Sequence, residues 1–383
     1  MGGRVVVTGF GVASPLGWGI EDNWKNLVGA GLVPARHGES ISIKYPPMSF
    51  RAGTRPAPTG LDRARELFLF AATEALTDAG LWDGQSLQTV DPSRVGCTVS
   101  ASKPFFDSPG LRVTPPEVIN DDVSNRFGLR GERRNVIAAC ATGACSIALG
   151  ASWIEQGLCD IVLAGSVEPY PHPLIQSGFR RMGVTSAEDV TRPFDLRRSG
   201  FTFGEGAGVV VLESGTSARR RRASTRGRLS GWALGSDSHS AVAFNSNGAR
   251  IADVIGRALA RGGLSAMKID HVNAHGTGTR LNDWIETQAL IKAFGPRAGR
   301  LMISATKAST GHLLGASGSV EFVFTLLAVR HQFVPPTASL ETPDPECPLD
   351  YTPKTGHAAH FEHALSLSFG FGGPIGALVV SSQ

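Results

Sequence analysis

Residues Asn135–Gly150 read NVIAACATGACSIALG, and residues Leu301–Gly318 read LMISATKASTGHLLGASG. Each opens on a short apolar run, breaks at a turn of small residues and continues with small residues at helical spacing. One pattern of strand, tight turn and small-residue helix, met twice, suggests an internal duplication. The surrounding sequence follows the same grammar. In the first half, strands are expected at Arg4–Thr8, Asn135–Ala139, Asp160–Ala164 and Gly208–Glu213, with helices near Asp22–Val28, over Leu61–Asp78 and from about Cys140. In the second half, helices are expected at Ile251–Ala260, Asp283–Phe294 and, as one long element, Ser309–Val329. Strands are expected there at His271–Ala274, Leu301–Ala305, His363–Phe369 and Ile375–Ser381. Such alternation argues for an α/β fold with helices covering sheets. No long linker is visible, so the reading is two closely packed halves, 1–220 and 221–383, meeting near residues 215–230.

Composition narrows the class. The chain has 383 residues, 47 of them Gly, where an average composition of about 7% would give roughly 27. The glycines follow no collagen period, and 42% of residues are hydrophobic, which excludes a fibrous or disordered chain. The net charge of +4 is too mild to imply nucleic-acid binding. Five cysteines without a CxxC pair suggest neither a disulfide framework nor a zinc site. No apolar run is long enough to span a membrane, and the opening MGGRVVVTGFGVASPLG lacks the build of a signal peptide. The expectation is a soluble, reduced, cytoplasmic protein.

Three residues draw attention as chemistry. Cys140 sits where a strand turns into a helix, among small neighbours that leave its sulfur approachable. A helix N-terminus there favours a thiolate and aims backbone N–H groups at whatever the sulfur attacks. The plainer reading is a small buried hydrophobe. His275 closes a strand in NAHGTGT, and His312 lies in KASTGH at the expected start of the long helix. Either histidine alone reads as structural; both, beside a cysteine in a duplicated chain, read as a site.

At this point the sequence resembles the β-ketoacyl-[acyl carrier protein] synthases of the thiolase superfamily, of the elongating type I/II kind with a Cys-His-His triad. The resemblance rests on RVVVTGFGVASPLG, AACATG, RPFDLRRSGFTFGEGAGVVVLE, NAHGTGTRLNDWIE, TKASTGHLLGASGSVE and SFGFGG, in order along almost the whole chain. It implies a thiolase-like fold: a duplicated, five-layered αβαβα arrangement with two mixed sheets. It makes Cys140 the nucleophile that accepts an acyl chain, and His275 and His312 the donors that stabilise the enolate formed when malonyl thioester loses carbon dioxide. Lys307 and Glu321 match a buried supporting pair. Phe371 matches the gating aromatic of a Gly-rich loop, and Thr277 and Thr279 match hydroxyls that contact the pantetheine arm. No cofactor or metal is implied. The implied partners are acyl carrier protein and a second subunit, either identical or a chain-length-factor-like homologue.

Some features depart from the resemblance or compete with it. Leu367 stands where the family has Asn, and Pro374-Ile375 where it has Thr-Asn; Pro removes an N–H and must rearrange the loop. The stretch between Val99 and Asn135, with SASKPFFDSPG, is shorter than usual. These point to a specialised synthase for polyenes, polyketides or unusual lipids. A non-catalytic chain-length partner is the alternative, opposed by Cys140 and both histidines. A degradative thiolase would carry a second cysteine in SFGFGGPIG, and a type III synthase would carry Asn at the third position. Neither Gly204–Gly208 (GEGAG) nor Gly9–Gly11 matches a nucleotide loop. His357, His360 and His363 read as a solvated loop, since that spacing does not converge before a strand. Arg219–Arg222 with Arg226 and Arg228 reads as a solvated helix end, or alternatively as a docking patch for an acidic carrier.

Overall fold

The structure is a computed structural model, and it describes residues 5–29, 60–107, 112–240 and 244–382. The first half contains β1 (Val5–Ser14), α1 (Ile20–Val28), α2 (Gly60–Asp78), β2 (Val95–Ser100), α3 (Val118–Phe127), α4 (Thr142–Glu155), β3 (Ile161–Glu168), α5 (Pro173–Arg181) and β4 (Gly206–Ser214). The second contains β5 (Gly227–Ser236), α6 (Ala249–Arg261), β6 (His271–Asn273), α7 (Arg280–Phe294), β7 (Met302–Ser304), α8 (Ser317–His331), β8 (His363–Phe369) and β9 (Pro374–Ser381). Hydrogen bonding runs in the order β7-β6-β8-β9-β5-β1-β4-β3-β2, with Gly17–Trp18 paired to β1. The two expected sheets are thus β2-β3-β4-β1 and β5-β9-β8-β6-β7. They join edge to edge where Val6 and Val7 of β1 meet Arg228 and Gly227 of β5.

Strand alternation builds the layers. In β3, Ile161 and Leu163 face one core with α2 and α3, while Val162 and Ala164 face another with α4 and α8. In β9, Ile375, Ala377 and Val379 pack on α6 and α7, while Leu378 and Val380 turn inward to α4 and α8. The layers are therefore helices, sheet, α4 with α8, sheet, helices, which is the αβαβα arrangement. Ser317–Val329 of α8 is buried all round, as a helix between two sheets must be. Glycine lets the central helices touch. A Cβ on Gly143 would lie 2.4 Å from the Ser319 nitrogen, and one on Gly318 2.8 Å from the Ala144 nitrogen.

Most expected elements form within a few residues of their expected ends. Three do not. The strand expected at Arg4–Thr8 does not stop there: β1 continues through Gly9 and Gly11 to Ser14, and α2 packs on it so closely that a Cβ on Gly11 would lie 2.1 Å from the Ala71 carbonyl oxygen. Asn135–Ala138 is not a strand: its N–H groups and its own amide bond to side chains and carbonyls instead of a ladder. Val136 N–H donates to Ser100 Oγ, Ala138 N–H to Thr142 Oγ1, and Asn135 Oδ1 accepts from Ala101 N–H. The long helix does not start at Ser309. A four-residue helix, Lys307–Thr310, ends at Gly311 (φ 69°), and Leu314 at φ 49° breaks the path again before α8 begins at Ser317. His312 therefore lies in the break and not on a helix.

Half of the basic run is engaged within the fold. Arg221 forks onto buried Glu213, Arg226 onto Asp78, and Arg228 donates to the Ser382 carbonyl. Two of these guanidinium groups hold the end of β4 and the end of α2, while Arg219, Arg220 and Arg222 stay exposed. His357, His360 and His363 do not converge, and among the described residues no group of His, Cys, Asp and Glu could hold a metal ion. Among those residues, too, no helix is long and apolar enough to cross a membrane. The GEGAG glycines face protein backbone: a Cβ on Gly206 would meet the Ala13 carbonyl oxygen at 2.6 Å, and one on Gly208 the Val320 nitrogen at 2.6 Å.

Candidate functional site

The cysteine turn is built from its neighbours. Ala139 adopts φ 47°, unusual for a residue with a Cβ, and opens a single turn, Ala139–Ala141, that leads into α4. Thr142 fixes that turn by accepting from Ala138 N–H (3.0 Å) and donating to the Ala139 carbonyl (2.8 Å). Gly370 packs against it; a Cβ there would lie 2.7 Å from the Ala138 carbonyl oxygen. Cys140 is buried with Phe201, Phe203 and Leu314. Burial pushes its thiol up to about 11, against the opposing pull of Lys103 and Lys307. Burial thus opposes the thiolate preference expected from the helix N-terminus.

His275 follows β6. Its backbone N–H and that of Gly276 both donate to Glu286, at 2.7 and 2.8 Å. Asp283 accepts from Gly278 N–H (3.2 Å) and Phe194 N–H (2.8 Å). Two acids in the first turns of α7 thus hold the HGTG loop, in which Gly276 and Gly278 take φ 40° and 74°. Neither acid was singled out from the sequence; their spacing, i and i+3 just after a Gly-rich turn, was the available signal.

His312 is held by the strand-like run beside it. Its N–H donates to the Thr202 carbonyl (2.8 Å) and its carbonyl accepts from Gly204 N–H (3.0 Å). The two imidazoles stand face to edge, ring centroids 5.6 Å apart and planes at 82°. Their hydrogen bonds assign the tautomers. Leu314 N–H donates to His312 Nδ1 at 3.2 Å, with Ser317 Oγ 2.9 Å from the same atom. Lys307 Nζ lies 3.3 Å from His275 Nδ1, and also donates to the His275 carbonyl (2.6 Å) and Glu321 Oε1 (2.5 Å). Those contacts use the three donors of an ammonium. With both Nδ1 atoms occupied as acceptors, both rings carry their proton on Nε2. Burial and the Lys307 charge hold both well below the ordinary histidine range, so the rings are neutral.

The remaining expected residues fall in the same place. Lys307 and Glu321 form a wholly buried pair and not a surface one. Thr277 and Thr279 share a hydroxyl contact of 2.9 Å. Phe371, half-buried, stands 6.1 Å from Phe179 of α5. Gly372 and Gly373 beyond it take φ 84° and 96°. Pro374 opens β9, a strand position that needs no proline donor, and its carbonyl accepts from Gly370 N–H at 2.9 Å. Leu367 is buried in the outer core of the second half. Cys140, His275, His312, Thr277, Thr279 and Phe371 all line one cavity of about 510 Å³, with Arg197, Arg198 and Arg280 also in its wall. Arg198 is tied to Asp344 and to the Arg280 carbonyl. An oxyanion formed in this cavity would meet neutral N–H donors inside low-dielectric walls.

Two family models match this chain. Residues 33–218 match the model of the β-ketoacyl synthase N-terminal domain, and residues 226–341 that of the β-ketoacyl synthase C-terminal domain. The chain belongs to the β-ketoacyl synthase family. This synthase is therefore of an acyltransferase family that condenses acyl groups with malonyl carrier protein. It is 34% identical over 424 residues to a putative polyketide β-ketoacyl synthase 1 of Streptomyces halstedii, covering 100% of this chain and 98% of the relative. It also superposes on two solved structures across the full length of both chains. One is a type II polyketide acyl-carrier protein in complex with its ketosynthase bound to the hexaketide (27% identity, TM-score 0.85). The other is the ishigamide ketosynthase/chain length factor (29% identity, TM-score 0.86). The thiolase-like fold expected from the sequence is the fold of this chain.

Proposed function

We propose that the synthase catalyses decarboxylative Claisen condensation of an acyl thioester with malonyl-acyl carrier protein, in specialised fatty acid, polyene or type II polyketide synthesis. The observation that carries this is the convergence of Cys140 with two neutral imidazoles whose Nδ1 atoms are both engaged, leaving two Nε2–H donors for one cavity. Cys140 attacks the acyl thioester; the carbonyl oxygen turns negative against the backbone N–H groups of Cys140 and Phe371. Collapse expels the carrier thiol, which takes the proton the cysteine gave up. Malonyl thioester then enters along Thr277 and Thr279. Its C–C bond to the carboxylate breaks, carbon dioxide leaves, and the electron pair becomes an enolate whose oxygen accepts from His275 and His312. The enolate carbon attacks acyl-Cys140 and displaces the sulfur, releasing β-ketoacyl carrier protein. Loss of carbon dioxide makes the carbanion, so no strong base and no cofactor is required. Lys307 and Glu321 orient His275 and balance the buried charge.

The partners belong to the same reading: acyl carrier protein as donor, and a second subunit that is either identical or chain-length-factor-like. The solved carrier complex and the ishigamide ketosynthase/chain length factor support them. The reading also divides the chain into a Cys-bearing half, 1–220, and a His-bearing half, 221–383. A cytoplasmic setting fits a thiol that must stay reduced. The alternative, a chain-length-setting partner subunit, would have no use for Cys140. Mass spectrometry of the protein incubated with acyl carrier protein tests the mechanism: acylation on the Cys140 peptide is expected in the wild type and absent in Cys140→Ala. Undiminished acylation of the Cys140→Ala protein removes the mechanism.

A further inference from the structure

Outside the cavity wall lies a charged cluster that the mechanism does not use. Glu168, at the inner end of β3, is 2% exposed. Its Oε1 meets Lys103 Nζ at 2.7 Å; its Oε2 accepts from Ser102 Oγ at 2.5 Å and from Gly315 N–H at 3.3 Å. The Gly315 carbonyl, in turn, accepts from Ser166 Oγ at 2.9 Å. The peptide groups on both sides of Gly315 are thus clamped to one strand. The fit leaves no slack: a Cβ on Gly315 would lie 2.4 Å from Ser102 Cβ and 2.7 Å from Glu168 Oε2.

What the clamp holds is the break that carries His312. Leu314, one residue before Gly315, sits at φ 49°, donates its N–H to His312 Nδ1, and packs its side chain against Cys140. A buried carboxylate that lost its counter-ion would be costly to keep charged and would let go of the glycine N–H. Lys103, on the segment leading from β2 to the Phe105–Asp107 hairpin strand, supplies that counter-ion while remaining 20% exposed on its side chain.

We propose that Lys103 and Glu168 are a positioning pair that, through Gly315 and Leu314, fixes His312 for decarboxylation. This deepens the condensing-enzyme reading and rests on it. The charged and titratable groups bearing on the thiol are Lys103, Lys307, Glu168 and Glu321, with the two imidazoles sharing its cavity. Lys103 is the foremost of those favouring the thiolate, and it also disfavours protonation of His312. Lys103 does not line the cavity.

The test uses the full chain and two readouts. The first is the pH profile of iodoacetamide alkylation, read on the Cys140 peptide. The second is malonyl carrier protein decarboxylation in a Cys140→Gln background, where only the histidines act. Lys103→Met is expected to slow alkylation at every pH below the thiol's own titration, shifting the profile upward. It should lower decarboxylation kcat about 10- to 100-fold, the size of effect a sub-ångström misplacement produces, with KM little changed. Lys103→Arg should restore both. If Lys103→Met does not fold, Lys103→Gln, a shorter polar side chain without the charge, carries the same expectations. A folded variant with a wild-type alkylation profile and wild-type decarboxylation overturns the proposal. Failure of the underlying reading looks different: decarboxylation would then persist in His275→Ala and His312→Ala in the same background.

Discussion

Lys307 Nζ, fully buried, stands 3.3 Å from Nδ1 of His275, which lines the cavity. One ammonium therefore sets the tautomer of one imidazole, pins the carbonyl of the same residue and neutralises Glu321. Lys307→Met should break all three at once. Leaving Glu321 as an unpaired buried acid is expected to cost about 3–5 kcal/mol in chemical denaturation. The double variant Lys307→Met/Glu321→Leu should recover most of that stability without recovering malonyl decarboxylation. A double variant as unstable as the single one would show that the buried pair is not what stabilises this region.

The neutral histidines predict a pH response without a histidine step. An unperturbed imidazole takes up its proton near pH 6.5, but burial and Lys307 push His275 and His312 well below that. As pH falls from 8 to 6 both rings stay neutral and keep their Nε2–H donors. Burial raises Glu321 to about 7 and Glu286 to about 8, so any change in decarboxylation by the Cys140→Gln protein across that range is expected to follow these acids and to move when Glu321 is replaced by Gln. A step with a midpoint near 6.5 that Glu321→Gln leaves in place would mean that at least one ring titrates normally.

Leu367 is a place where restoring the family residue should do harm. It is fully buried against the outer helices of the second half, among apolar neighbours. Leu367→Asn removes that apolar contact and buries an amide there, and is expected to cost about 3–5 kcal/mol. Thermal or denaturant unfolding measures it. A variant as stable as the wild type would mean that the amide finds partners on β8 that the leucine hides.

The strands and helices of this fold were legible because each half alternates β-branched runs with small-residue helices, and burial on both faces leaves few other ways to arrange them. The site was legible as residue types: Cys140, His275 and His312 sit at turns that composition marks with glycine and threonine. Two kinds of information were not local. The break around His312 depends on Leu314 adopting φ 49°, which a leucine does not announce. The supports, Glu286 under His275 and Glu168 with Lys103 under Gly315, are acids whose partners lie on other elements; Glu168 and Gly315 are 147 residues apart. The run Asn135–Ala138 has the letters of a strand, but its hydrogen bonds go to Ser100 and Thr142 hydroxyls and leave no ladder to count.

The two residue pairs that stitch β1 to β5 have one more consequence. Cys140 comes from one half of the molecule and both imidazoles from the other, so the gap the chemistry must bridge is a distance between two sheets. A slip of one residue along that seam, about 3.3 Å, would displace thiol from imidazoles by as much as a whole near-attack separation. The seam and the Gly143/Gly318 crossing of the central helices act as the gauge blocks of the site. Selection on reaction geometry should be felt there, far from any atom that touches substrate.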